Sequence, residues 1–304
     1  MQKNITFVRK NTRYIILMSK ILRSIITLFI LFVFNAAVVA GGVYHVKVSG
    51  TASGDGSINN PWDLRTALNR TRTVQAGDTI WVHGGTYRGV FTSGLRGNAS
   101  VPVIVKAVQG EEVILDGNTT RGTAVLSFEG QYTWVWGLTI TCNVENRTGD
   151  PAITGDYKDG VYFIGPHNKL INCVIRDNGG SGVGFWNPAI DAEIYGCIIY
   201  HNGNIGSSRG HGHAIYAQNS QGTKQIRDNI IFNSFGIGIH AYTENGSIQG
   251  FNIEGNTFFN CGLPYEKFLE RHVLVGGFTP VDRVTVKGNY FYNRPAYTAK
   301  AMVQ

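Results

Sequence analysis

The 304 residues include 27 Lys and Arg against 20 Asp and Glu, but six of the basic residues fall in the first 40, where no acidic residue occurs. The rest, with 21 basic against 20 acidic side chains, is nearly neutral, so the overall positive balance is no argument for nucleic acid, which needs a basic stripe on the folded domain. With 39 Gly and 43% hydrophobic residues, the chain has material for one elongated core, and a solenoid escapes the usual limit on core size by growing lengthwise.

Residues 1–40 read as a secretory leader, with Lys3, Arg9, Lys10, Arg13, Lys20 and Arg23 ahead of the apolar run from Ile25 to Ala40. Val38 and Ala40 favour cleavage before Gly41, and Met18 is an alternative start. An uncleaved membrane anchor is the competing reading, but the run is slightly shorter than the ~20 residues a membrane span needs, so the expectation is a secreted or cell-surface protein without stable membrane insertion once the leader is removed. Residues 41–77 are expected to cap the N-terminal end. There Asn60-Pro61-Trp62-Asp63 predicts the start of a short helix, with Asn60 as cap and Pro61 in the first turn. Trp62, Ala67 and Leu68 then cover the open end, which if bare would recruit other chains.

Residues 78–304 are expected to form the body of the fold. GDTIWVHGGTYRGVF (77 to 91) points Ile80 and Val82 inward and Trp81 and His83 outward, then turns on Gly84-Gly85; VPVIVKA (101 to 107) and EEVILDG (111 to 117) continue the strands. On Gly77-Asp78-Thr79-Ile80, Gly84-Gly85-Thr86-Tyr87-Arg88, Pro102-Val103-Ile104-Val105 and Gly110-Glu111, the chain resembles exported right-handed parallel β-helix proteins. These include the pectate-lyase-like group and polysaccharide lyases of family nine, and the resemblance runs over about residues 44 to 293. It implies an all-β, single-stranded, right-handed parallel β-helix with a short N-terminal capping helix.

Further along, IRDNIIFN (226 to 233), IEGNTFFN (253 to 260) and VKGNYFYN (286 to 293) align without a gap, and weaker copies precede them at 135–143, 170–178 and 194–202. One column reads Leu138, Cys173, Cys197, Asn229, Asn256, Asn289, at intervals of 35, 24, 32, 27 and 33 residues. A second holds Asn233, Asn260 and Asn293. Repeats of this size with variable loops indicate stacked coils, none able to bury its own apolar face alone. Strands about 4.8 Å apart place equivalent amides within hydrogen-bonding reach of one another. Cys173 and Cys197, standing where Asn stands elsewhere, are expected as stacked buried thiols rather than a disulfide, and no CxxC spacing invites a metal. After the last copy, either an irregular cap follows or further coils belong to a longer protein.

A second strand recurs as DGVYFIG (159 to 165), SGVGFWN (181 to 187), HAIYAQN (213 to 219), FGIGIHA (235 to 241) and RHVLVGG (271 to 277). Alternation sends Val161 and Phe163, Val183 and Phe185, Ile215 and Ala217, Ile237 and Ile239, and Val273 and Val275 inward. The outer row then carries Tyr162, Trp186, Tyr216, Gln218 and His240 with glycines between them, a shallow groove with flat apolar walls suited to sugar rings. Long loops at 144–158, 203–212 and 262–270 enter this sheet.

Lyase cleavage of a uronic-acid polymer needs a cation for the carboxylate, a base for the adjacent proton and a donor for the leaving oxygen. Lys158, Arg209, His211 and His240 are the catalytic candidates. Tyr162, Trp186, Tyr216 and Gln218 are the substrate-binding candidates, and Asp156 and Asp159 are candidate ligands should Ca²⁺ be the cation. His213 has inward parity and reads at least as well as a structural hydrogen-bonding residue. The resemblance to family nine implies a segment similar to NADGFAAK, of which only Asp159-Gly160 is present. No Lys stands at the matching place and Lys158 precedes it, so catalytic identity is not carried over. Gly210-His211-Gly212 resembles the GHG element of β-helix polygalacturonases, but without their NTDG element or the paired carboxylates of hydrolysis. The chain thus reads as an extracellular, monomeric, polysaccharide-active protein with an acidic or neutral polysaccharide as partner, lyase-like toward an acidic glycan, or else as a noncatalytic carbohydrate-binding or adhesin-like surface protein.

Overall fold

A computed structural model describes residues 41–117, 124–142, 147, 158–205, 210–243, 247–262, 271–278 and 280–292. The chain divides at Ala40/Gly41, and the expected leader lies outside the described residues, as do Asp156, Arg209 and Asn293. Among the described residues no helix is long and apolar enough to cross a membrane.

From Gly41 onward the chain winds through three parallel sheets. The first has nine strands, from Val43–Val46 to Val281–Lys287; the second has eight, from Gly85–Arg88 to Tyr290–Tyr292; the third has seven, from Phe91–Ser93 to Val273–Gly277. Winding begins upstream of residue 78, because Val43–Val46 already pairs in register with Thr79–Val82. Alternation along the first sheet holds as expected, with Ile80 and Val82 buried and Trp81 and His83 half-buried on the outside.

The capping helix spans Leu64–Asn69, and its cap is Asp63, whose carboxylate accepts from the Thr66 N–H at 2.9 Å. Asn60 is not the cap, because Trp62 bridges to Val46 in strand-like fashion and delays helical dihedrals until Leu64. Leu64, Ala67 and Leu68 are buried, and the Gly94 N–H donates to the Leu68 carbonyl, so the helix covers the first strand of the third sheet.

The turn between the first and second sheets carries the predicted amide column. Asn229 Nδ2 and its backbone N–H both donate to Asn256 Oδ1, at 2.9 and 3.0 Å, and Asn256 treats Asn289 in the same way, at 3.0 and 2.9 Å. Each second amide hydrogen goes back to a strand carbonyl: Asn229 to Ile194, Asn256 to Ile226, Asn289 to Ile253. The thiols extend this geometry upstream, since Cys197 Sγ reaches the Leu170 carbonyl at 3.5 Å and the Cys197 N–H donates to Asn229 Oδ1 at 2.8 Å. All four cysteines are free and buried, and burial pushes the Cys197 thiol up.

The second ladder differs from expectation by one residue. Asn233 and Asn260 occupy the left-handed region, with φ of 50° and 53°, in a column with Asp177 and His201. That conformation turns the chain, so the following residue points inward. The inner ladder is therefore Asn178 on Asn202, Nδ2 to Oδ1 at 2.9 Å, continued by buried Ser234 and Cys261.

One buried amine stands apart. Lys224 is fully buried with its Nζ 4.1 Å from the centre of the Phe185 ring, donating to the carbonyls of Phe185 at 3.2 Å and Trp186 at 2.5 Å. Burial lowers its pKa from 10.5 to about 6. Between those two values the unfolded chain holds a proton that the folded chain lacks, so stability rises with pH across that window. Lys224→Met is expected to flatten the increase between pH 7 and 9 by about 1.4 kcal/mol per pH unit, as read by denaturant unfolding; an unchanged slope would show the amine to be charged when folded.

Candidate functional site: the outer face of the third sheet

The third sheet carries the aromatic row. Strand pairing aligns Ser127, Tyr162, Gly184, Tyr216, His240 and Leu274 in one outward column. The inward column below it is Val161, Val183, Ile215, Ile239 and Val273, followed by Phe163, Phe185, Ala217, Ala241 and Val275. Thus Ile239 and Ala241, rather than Ile237 and Ile239, continue the core of that coil, two residues on from the expected register.

Each strand of this sheet after the first is entered through two consecutive inward positions. Gly182 precedes Val183 and Ala214 precedes Ile215, all four buried. A Cβ on Gly160 would lie 2.7 Å from Asn178 Nδ2, and one on Gly182 would lie 2.8 Å from Asn202 Nδ2, so only small residues leave room for the inner ladder. This double step reverses the parity of everything before it. His213 therefore does not point inward: it lies half-buried on the outer side, in the column that runs from Asp159 through Ser181.

The hydrogen bonds on this face fix proton positions. His213 Nδ1 accepts from the Ile237 N–H at 3.0 Å, which leaves the His213 proton on Nε2, where it meets His240 Nδ1 at 3.0 Å. His240 Nδ1 is then an acceptor and its own proton sits on Nε2. Around this pair the rings run on, with Tyr162–Trp186 at 5.4 Å, Trp186–Tyr216 at 5.5 Å, Tyr216–His240 at 5.4 Å and His240–Tyr242 at 5.0 Å. Gly184 makes this possible, since a Cβ there would meet the Tyr162 ring at 2.8 Å and the Trp186 indole at 2.7 Å. From Tyr162 to His240 the row crosses three strand spacings, about 14 Å.

Asp159 starts this face. One carboxylate oxygen accepts from the Ser181 N–H at 2.6 Å, and the Tyr162 hydroxyl donates to the carboxylate. Burial outweighs both bonds and pushes its pKa up to about 7. Between about 4 and about 7 the folded state holds a proton that the unfolded state has lost, so stability falls as pH rises through that window. Asp159→Asn is expected to abolish that decline in thermal unfolding; a decline that persists would show that another group causes it.

The other predicted residues are placed as follows. Gln218 is half-buried just past the end of Tyr216's strand, Ile215–Ala217. Lys158 is buried near the Cys142 thiol. His211 lies in a short antiparallel pair in which it faces Asn204, within the loop leading to His213. Ca²⁺ takes six to eight oxygen ligands, whereas Asp159 has its oxygens engaged by N–H and O–H donors, and no group of three or more His, Cys, Asp or Glu converges among the described residues. The described residues alone do not make a Ca²⁺ cage, Asp156 lying outside them, and no chemical step is routed through one.

A cluster not anticipated from sequence lies at the edge of this face. The Arg147 guanidinium contacts His201 Nδ1 at 2.8 Å and Asp177 Oδ1 at 3.3 Å, and packs 4.9 Å from the centre of the Phe235 ring. The Arg147 carbonyl accepts from the Ile205 N–H at 2.7 Å. Burial pushes Asp177 up, but bonds from His201 and Arg176 and the Arg147 charge outweigh it and hold its pKa at about 2. Only the left-handed turn column brings Asp177 and His201 together, and no sequence spacing announces Arg147 as their partner.

A coil wound from three parallel sheets is the architecture of a parallel β-helix. Residues 44–267 match the family described as the Pel9A-like right-handed β-helix region, and the chain belongs to that family. A stretch of 91 residues is 36% identical to pectate lyase PEL9 of Emericella nidulans, covering 29% of this chain and 21% of that protein. The crystal structure of pectate lyase Pel9A superposes with a TM-score of 0.62 at 19% identity, over 82% of this chain and 63% of that one. A GH136 lacto-N-biosidase from Eubacterium ramulus gives a TM-score of 0.59 at 16% identity, over 82% and 51%. The two structures share the fold. The chain spans about a fifth of the length of the curated relative.

Proposed function

We propose that this coil belongs to an extracellular protein that acts, lyase-like, on an acidic polysaccharide bound along the third sheet. The observation that carries the reading is the His213–His240 hydrogen bond set within the row of Tyr162, Trp186, Tyr216 and Tyr242. Aromatic faces offer sugar rings apolar contact while polar edges fix orientation. With its proton on Nε2, His240 is poised to donate a hydrogen bond to a leaving oxygen and stabilise the negative charge that develops there. Removal of the proton beside the carboxylate is assigned to Arg209 or His211 on the loop entering this face, with Lys158 behind Asp159 as the remaining candidate. Export by residues 1–40 and a monomeric state belong to the same proposal, as does Ca²⁺ binding with Asp156 as a ligand.

The test is incubation with pectate, alginate and chondroitin, with and without Ca²⁺, while absorbance of unsaturated sugar is followed. New unsaturated ends support the lyase. Retention on a polymer without them supports noncatalytic binding, a reading favoured by the engagement of His213 Nδ1 and Asp159 in backbone hydrogen bonds.

A further inference from the structure

A second ring-bearing surface lies on a different wall of the coil. Strand pairing on the first sheet aligns Trp81, Lys106 and Trp136 in one outward column. Trp136 is 41% exposed, and the Lys106 ammonium sits 4.1 Å from the centre of the Trp81 ring. The two indoles stand two strand spacings apart, about 10 Å, with the cation between them. Together with Ala107, Gln109 and Gly110 they line an open concavity of about 440 Å³. The neighbouring acid at the rim, Glu111, is engaged: it accepts from the Gly84 N–H at 2.6 Å and pairs with His83 Nδ1 at 3.5 Å. Glu111 is thus held toward Gly84 and His83, and the charged group that stands between the two indoles in the strand register is the Lys106 ammonium.

We infer that Trp81, Lys106 and Trp136 form a second glycan-binding site, for an acidic polysaccharide laid along the coil axis. Two indoles in one column along the coil axis, two strand spacings apart, match a linear polymer of rings better than the irregular surface of a globular partner. An ammonium held between the faces matches a carboxylate carried by the polymer. The inference goes beyond the third-sheet reading and shares with it only the class of polymer. A coil with binding rows on two walls would hold its substrate by avidity without any new catalytic group.

The experiment is affinity electrophoresis in gels containing polygalacturonate, alginate or neutral xylan, with no turnover readout. Trp81→Ala/Trp136→Ala is expected to weaken retardation by the acidic polymers about tenfold, also in a Tyr162→Ala/Trp186→Ala background where the third-sheet row is removed. Lys106→Gln is expected to weaken retardation by acidic polymers and leave xylan unaffected. Wild-type retardation of the double Trp variant in every gel would overturn the site. Equal loss on xylan for Lys106→Gln would overturn the charge assignment, and a dimer in sedimentation that Trp136→Ala dissociates would assign the surface to a second copy. Should the double variant unfold, Trp136→Ala alone, at the more exposed ring, decides the same question. Failure of the third-sheet proposal would appear instead as absence of unsaturated product with this retardation intact.

Discussion

Asn256→Leu is expected to destabilise the coil by about 3–6 kcal/mol, measured by denaturant unfolding, and to lower its soluble yield. The substitution removes an amide that both donates and accepts. It leaves the Asn229 N–H and Nδ2 without their acceptor, the Ile226 carbonyl without its donor, and Asn289 Oδ1 with one donor fewer. Each buried polar group left unsatisfied costs about 1–3 kcal/mol, and a large part of typical domain stability is of that size. Asn256→Asp keeps the acceptor oxygen and loses the Nδ2 donor, so its cost at neutral pH should fall on the Ile226 carbonyl and the Asn289 pair. If Asn256→Leu unfolded with the wild-type midpoint, the ladder would be a geometric coincidence of the winding rather than its support.

The second large effect concerns chemistry. His240→Gln is expected to lower formation of unsaturated sugar by about 10²–10⁴-fold while leaving the thermal midpoint close to that of the wild type, because the side chain is half-buried on the outer face rather than in the core. His213→Ala is expected to lose activity and stability together, since the buried Ile237 N–H then loses its acceptor at about 1–3 kcal/mol. Equal loss of fold in both variants would assign the pair to structure. Arg209→Ala or His211→Ala should follow the His240 pattern, and wild-type turnover in all of these variants would remove the proton-transfer assignments.

Much of this architecture was legible because stacking forces equivalent residues into columns. Asn229, Asn256 and Asn289 repeat at fixed register, and their side-chain amides meet as their alignment predicts. The rings Tyr162, Trp186 and Tyr216 were legible for the same reason, since alternation puts them outside. What alternation could not give was the break in itself. Two inward positions in succession at the start of the strand after His213 placed that residue on the outer face, and a left-handed turn residue moved the second ladder from Asn233 to the neighbouring position. The signal was present in part: Gly160, Gly182, Ala214 and Gly238 form a column of small residues, which marks close approach rather than plain alternation. Arg147, Asp177 and His201 were beyond such reading, because their meeting depends on loop paths that no period constrains. Lys224 was missed because a lysine among polar neighbours reads as solvated, and only the packed interior reveals it held by carbonyls.

The amide ladder also has a direction. Asn229 takes its acceptor from Asn256, and Asn256 takes its own from Asn289, so every rung is completed by the coil that follows it in the sequence. A chain emerging amino end first would therefore wind provisionally, each newly made turn locking the one before it. Assembly of this kind is vectorial: the earliest coils become secure only as later ones arrive, and a halt in synthesis would leave its damage at the growing tip.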